Sequence, residues 1–164
     1  MAGCGRVDVP TGGWHAFSME TGHLFEELAV GTLLAIVSVV IHALGLLTLS
    51  KLVRLEMHEE GSRHMAPVSV RGFLVTIGVV LGLFILHGVE IWLFAMAYRW
   101  LDAIGDFSTA LYFSTITYAA IGFDADPLDP RWRMVAGIEG IGGLILLGWS
   151  TAFFVTLMGR IRRL

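Results

Sequence analysis

An all-helical integral membrane protein is the fold class this sequence predicts, and three observations predict it. Hydrophobic residues make up 55% of the 164 positions and charged residues only 15%, where soluble domains average about 45–50% apolar and about 25% charged. Mean hydropathy is +0.74, so the chain has too little charged surface to remain in water. Residues 28–50, 72–98 and 134–158 form three nearly uncharged stretches, each longer than the roughly 20 residues that cross about 30 Å of hydrocarbon. Net charge is −3, which excludes the basic footprint of a nucleic-acid binder. The single cysteine, Cys4, excludes an internal disulfide and a zinc-ligand spacing. Walker, dinucleotide-binding and nucleophile-elbow motifs are absent, so an enzyme is not expected.

Residues 1–27, with Gly12-Gly13-Trp14-His15, read as an external lead-in. No apolar stretch precedes Cys4 to make a lipoprotein signal, and the first span is too long for a cleaved signal peptide. That span, 28–50, carries one ionisable side chain, His42, expected to hydrogen-bond a neighbouring helix. Residues 51–71 form a basic loop. There, His58 and His64 flank Glu59 and Glu60, an arrangement read as a solvated surface rather than a metal site. The second span, 72–98, contains His87 and Glu90, three apart and hence on one helix face. The third, extended back to Trp132 to give 132–158, contains Glu139. Tyr98, Trp100 and Trp132 stand at span ends, where amphipathic rings favour the headgroup level. No span carries a ladder of arginines, so an arginine-rich voltage sensor is excluded.

The segment 99–131 is the informative one. A helix over 108–118, with Asp106 or Ser108 as its N-cap, would reach only about 16 Å at about 1.5 Å per residue. Beyond Tyr118 come Ala119-Ala120-Ile121-Gly122-Phe123-Asp124 and then Pro127 and Pro130, where no helix continues. Such a segment reads as a re-entrant loop, buried in protein or lining a watery cavity, or else as an interfacial helix with a surface loop. Segments 1–27 and 99–131 hold three Lys/Arg against nine Asp/Glu, whereas 51–71 and 159–164 hold seven against three. The positive-inside rule therefore places the N-terminus and the 99–131 loop outside and the basic tail 159–164 in the cytoplasm.

The run Tyr112-Phe113-Ser114-Thr115-Ile116-Thr117-Tyr118-Ala119-Ala120-Ile121-Gly122-Phe123-Asp124 resembles the pore helix and selectivity filter of the potassium-channel superfamily. The family pattern is an aromatic pair, a Thr, and then Thr-Val-Gly-Tyr-Gly-Asp. His87-Gly88-Val89-Glu90-Ile91-Trp92 and Gly148-Trp149-Ser150-Thr151 extend the likeness to small bacterial three-span "ion channel" proteins, over roughly residues 80–158. The resemblance implies an outer pore helix at 72–98, an inner one at 132–158, and a location in the inner (plasma) membrane. It implies a pore helix with Tyr112, Phe113 and Thr117, and a filter of Ala120, Ile121, Gly122, Phe123 and Asp124. Four such loops enclose one filter, whose carbonyl rings replace an ion's hydration shell, so it also implies a homotetramer, alone or within a larger membrane complex.

Departures from the pattern shape the expected selectivity. Ala120 removes the filter threonine's hydroxyl, and Asp124 replaces a glycine. Asp124 and Asp126 would ring the outer mouth with carboxylates that attract monovalent or divalent cations as permeant ions. The expected pore is weakly K⁺-selective, non-selective or tolerant of divalent ions, with no cofactor or resident metal. His87, Glu90 and Glu139 read as one buried polar network, either bracing the loop from behind or sensing protons and cations. Gly142 and Gly143 are candidates for an inner-helix hinge, or for close helix packing. The alternatives in function are a non-conducting accessory or structural subunit and a proton-coupled carrier.

Overall fold

The computed structural model describes residues 13–58, 70–122 and 127–161. It contains helices α1 (Gly13–His58), α2 (Val70–Trp100), α3 (Phe107–Tyr118) and α4 (Arg133–Ile161), with a 3-10 turn at Pro130–Trp132 leading into α4. No strand occurs among the described residues. Three helical stretches, His23–Leu55, Gly72–Trp100 and Pro130–Gly159, are long and apolar enough to cross a membrane. All three are apolar on every face rather than striped, the pattern of helices surrounded by hydrocarbon or protein. Exposed Leu33, Val40, Leu44 and Leu47 on α1, Phe73, Leu81 and Phe84 on α2, and Ile141, Leu144 and Val155 on α4 form the corresponding apolar exterior. Lipid is its natural solvent.

The first helix extends well before residue 28, running without a break from Gly13. Its acidic pair is accommodated by partners. Glu26 pairs with Arg131 in the turn before α4, and Glu27 accepts from the Met134 backbone N–H at 3.2 Å. Gly31 lets α1 approach α4 here, since a Cβ would lie 2.6 Å from Ile138 Cδ1.

The main apolar core lies at the end of the bundle where α2 turns into α3. Phe94, Tyr98, Ile104, Phe113, Leu128, Trp132 and Val135 meet there, with the Tyr98 and Phe113 rings edge to face at 5.4 Å between centroids. The turn itself is a left-handed helix cap. Asp102 has φ 50°, and the Asp102 and Ala103 amides donate back to the Arg99 and Tyr98 carbonyls. Aspartate is among the residues that accept this conformation.

Asp106 caps α3, accepting from the Thr109 N–H at 2.9 Å and the Thr109 hydroxyl at 3.1 Å. These bonds hold the exposed Asp106 carboxyl below its ordinary range, the Thr109 backbone N–H being the largest cause. At 12 residues, α3 is about 18 Å long, too short to span a bilayer. It lies between α2 and α4. The lead-in up to residue 12, the 59–69 loop with Glu59, Glu60 and His64, and the last three residues of the basic tail lie outside the described residues. So do Phe123, Asp124 and Asp126.

Candidate functional site

The buried face of α3 consists of Ala110, Phe113, Ser114, Thr117 and Tyr118, the three- and four-residue spacing of one helical stripe. Of the aromatic pair, Phe113 enters the core while Tyr112 is 65% exposed. Tyr118 is pressed against α4 at Gly143, where a Cβ would overlap the Tyr118 carbonyl oxygen and lie 2.9 Å from its carbon. Gly143 is therefore a packing glycine, whereas a Cβ at Gly142 would meet nothing within 4 Å.

After Tyr118 the chain closes the helix in a Schellman motif. The Ala120 N–H donates to Thr117 O and the Ile121 N–H to Ile116 O, both at 3.0 Å. Ala120 adopts φ 53°, a left-handed position usually occupied by glycine and costing an alanine about 1–2 kcal/mol. Ile121 is 76% exposed, and a Cβ on Gly122 would meet nothing within 4 Å. A groove of about 500 Å³ borders this turn, lined in part by Thr117, Ala120, Gly122, Gly137 and Gly140. Thr117 Oγ1 is buried beside it with no hydrogen-bond partner among the described residues.

Behind α3 the ionisable residues form two hydrogen-bonded clusters. In the first, fully buried His42 (α1) and Glu90 (α2) meet with His42 Nδ1 2.9 Å from Glu90 Oε1. His87 Nδ1 lies 3.2 Å from Glu90 Oε2 and 2.9 Å from the Tyr118 hydroxyl, which itself donates to Glu90. Ser150 of α4 joins both imidazoles, its Oγ 3.0 Å from His87 Nε2 and 3.3 Å from His42 Nε2. The Trp149 ring packs on His42 at 5.3 Å between centroids. All four helices thus contribute. Donor atoms of His42, His87 and Glu90 lie within 4.8 Å of one another, and each already has a hydrogen-bond partner within the cluster.

The second cluster holds Glu139 (α4), which accepts from the Tyr98 hydroxyl (α2) and meets the Ser114 hydroxyl (α3), each at 2.5 Å. Ser114 Oγ also lies 2.9 Å from the Ile91 carbonyl oxygen. Unsatisfied buried polar groups cost about 1–3 kcal/mol each, which makes both clusters strong fasteners of α3.

The structure brings together His87 and Glu90 as their spacing predicts, and places Glu139 apart from them. It adds His42, Tyr118 and Ser150 to the first cluster, and Tyr98 and Ser114 to the second. His42 stood out as the lone ionisable group of its span, Tyr98 as a span-end aromatic, and Ser114, Tyr118 and Ser150 as members of the motif runs, but none of these signals indicated the pairings.

Residues 86–160 match a protein-family model described as "Ion channel". That segment runs from the middle of α2 through α3 to the end of α4, and so includes every member of both clusters except His42. None of the curated proteins and none of the solved structures gives a match.

Proposed function

We propose that the chain, whose residues 86–160 match an ion-channel family model, forms a homotetrameric cation channel with a potassium-channel-like pore. The observation that carries this reading is the geometry of α3. A helix too short to cross a bilayer is held between two membrane-length helices, fastened by Tyr118, Ser114 and the Gly143 contact. Its C-terminal end leads to the uncovered Ile121 and Gly122. In the assembly α3 is the re-entrant pore helix, α2 the outer helix and α4 the inner helix. Ala120 through Asp124 form the filter, and Asp124 and Asp126 supply carboxylates at an external mouth. The carbonyl end of α3 directs its negative dipole toward the permeating cation. Without a filter threonine hydroxyl and with acidic residues at its mouth, the pore is weakly K⁺-selective or non-selective and admits divalent ions. The N-terminus and the filter face outward across the plasma membrane, and the basic tail faces the cytoplasm.

A bulky side chain at Gly122 tests this reading, because the protomer has room for it and a fourfold pore does not. Gly122→Val should leave folding and assembly unchanged and abolish flux through reconstituted protein. Flux that survives this change rules out a filter at Gly122.

One observation favours a second reading, a non-conducting subunit with the channel fold. The Ala120 and Ile121 amides fold back onto α3, a closed cap rather than an extended strand. If that cap persists in the assembly, correctly inserted protein carries no current.

A further inference from the structure

The first cluster has a hydrogen balance that fixes its charge. Its contacts are His42 Nδ1 to Glu90, His87 Nδ1 to Glu90 and Tyr118, Tyr118 to Glu90, and each imidazole Nε2 to Ser150. Counting the paired contact of His87 Nδ1 once, five hydrogens fill them. An ionised Glu90, two neutral imidazoles, Tyr118 and Ser150 bring four. In that state both Nδ1 atoms donate toward Glu90, and both Nε2 atoms present lone pairs to a serine with a single hydrogen. One contact is then acceptor against acceptor. One additional proton completes the set.

We propose that His42, His87 and Ser150 form a shared-proton site, in which one proton beyond the neutral imidazoles is held between the two Nε2 atoms across the Ser150 hydroxyl. Glu90 remains the anion, its two oxygens receiving the His42 and His87 N–H groups and the Tyr118 O–H, so the cluster is neutral overall. A lone buried charge is costly, and ionisable groups within a membrane are normally paired. The alternative position for the proton, on Glu90 Oε1, would turn His42 Nδ1 into an acceptor and withdraw one of the carboxylate's three donors.

The proton can move without leaving the cluster. As the His42 Nε2–H bond breaks, a new Oγ–H bond forms on Ser150. The original Ser150 hydrogen passes to His87 Nε2, and the imidazolium charge moves from α1 to α2. The groups facing the site are His42 on α1, His87 and Glu90 on α2, Tyr118 on α3, and Ser150 with the Trp149 ring on α4. Glu139 is hydrogen-bonded in the Tyr98–Ser114 cluster but lies near enough to Tyr118 for its charge to act there. A second proton would leave the Ser150 hydrogen unplaced and the cluster positive, whereas loss of the first would unpair one imidazole. Either change weakens the link from α4 to α1 and α2. The inference stands whether or not the loop beyond α3 conducts.

Nitrogen NMR on the full chain in phosphatidylcholine vesicles at pH 7 tests it. Labelled histidine would be used, with signals assigned by loss in His42→Gln and His87→Gln. Three protonated nitrogens among the four of the two rings are expected. Two would place the proton on Glu90 or show the cluster deprotonated, and four would show a second proton; either overturns the proposal. Stoichiometric zinc that remains with the protein through purification and is lost in His42→Gln would overturn it also, by making the cluster a metal site. In Glu90→Gln, with the anion removed, the count should fall to two; retention of three would contradict the charge pairing. Should that variant fail to fold, the count in the unaltered chain decides alone.

Discussion

Gly143 and Tyr118 are the residues on which the position of α3 depends. At Gly143, α4 meets the backbone of the last α3 turn, and backbone cannot retreat as a flexible side chain can. Gly143→Ala should therefore cost about 1–3 kcal/mol, the range for overpacking a filled contact, whereas Gly142→Ala should be tolerated. Thermal unfolding in mild detergent compares the two, and equal losses would contradict the packing assignment. Tyr118→Phe removes one hydroxyl from Glu90 and His87 and should destabilise by about 1–3 kcal/mol. Ala120→Gly acts in the other direction. The left-handed φ of 53° is strained for alanine, and glycine adopts it freely, so this variant should unfold at a higher temperature wherever the cap, rather than the extended filter, is the resting conformation. Gly142 and Gly143 both stood out in the sequence as candidates for close packing, but nothing there showed which of them meets α3. Helix-capping glycines are readable signals, but an alanine in a left-handed cap is not.

At the scale of elements, α3 is held at both ends by different means. Its start depends on the Asp106 cap, and the depressed carboxyl range there sets a sign. Ionised Asp106 adds stability at pH values above the ordinary aspartate range. That contribution is lost as pH falls through the lower folded-state value, because the unfolded chain takes up its proton first. The protection of the first-turn amides of α3, corrected for the intrinsic pH dependence of exchange, should fall on acidification, and Asp106→Asn should flatten that dependence. An equal fall in the variant would rule out the Asp106 cap as its cause. The three long helices and the short helix between the last two were legible from hydropathy and length, because a bilayer imposes a length on whatever crosses it. The early start of α1 was less so. Glu26 and Glu27 interrupt the apolar run, and only their partners Arg131 and the Met134 amide, more than a hundred residues away in sequence, explain how the helix carries them.

At the scale of the whole molecule, the divided polar clusters show where sequence reading stops. The three-residue spacing of His87 and Glu90 puts them together in any helix, whereas the separation of Glu139 from Glu90 depends on how α2 and α4 are rotated against each other. Hydropathy does not encode that rotation when helices are apolar all round. The same clusters fasten α3 to α2 and α4, and His42 ties them to α1, outside the residues that match the ion-channel family model. A single chain offers one loop after α3 and a filter needs four. Cross-linking in mild detergent should therefore trap tetramers, and protein that yields only monomer or dimer under lipid-preserving conditions would contradict the assembly.

Conduction through that fourfold loop is measured with purified protein in planar bilayers under gradients of K⁺, Na⁺ and Ca²⁺. Cation currents are expected whose reversal potentials show weak discrimination among the three ions, with no current from Gly122→Val protein that inserts and assembles normally. Silence from correctly inserted, tetrameric protein across voltage and pH, or currents unchanged by Gly122→Val, would contradict it.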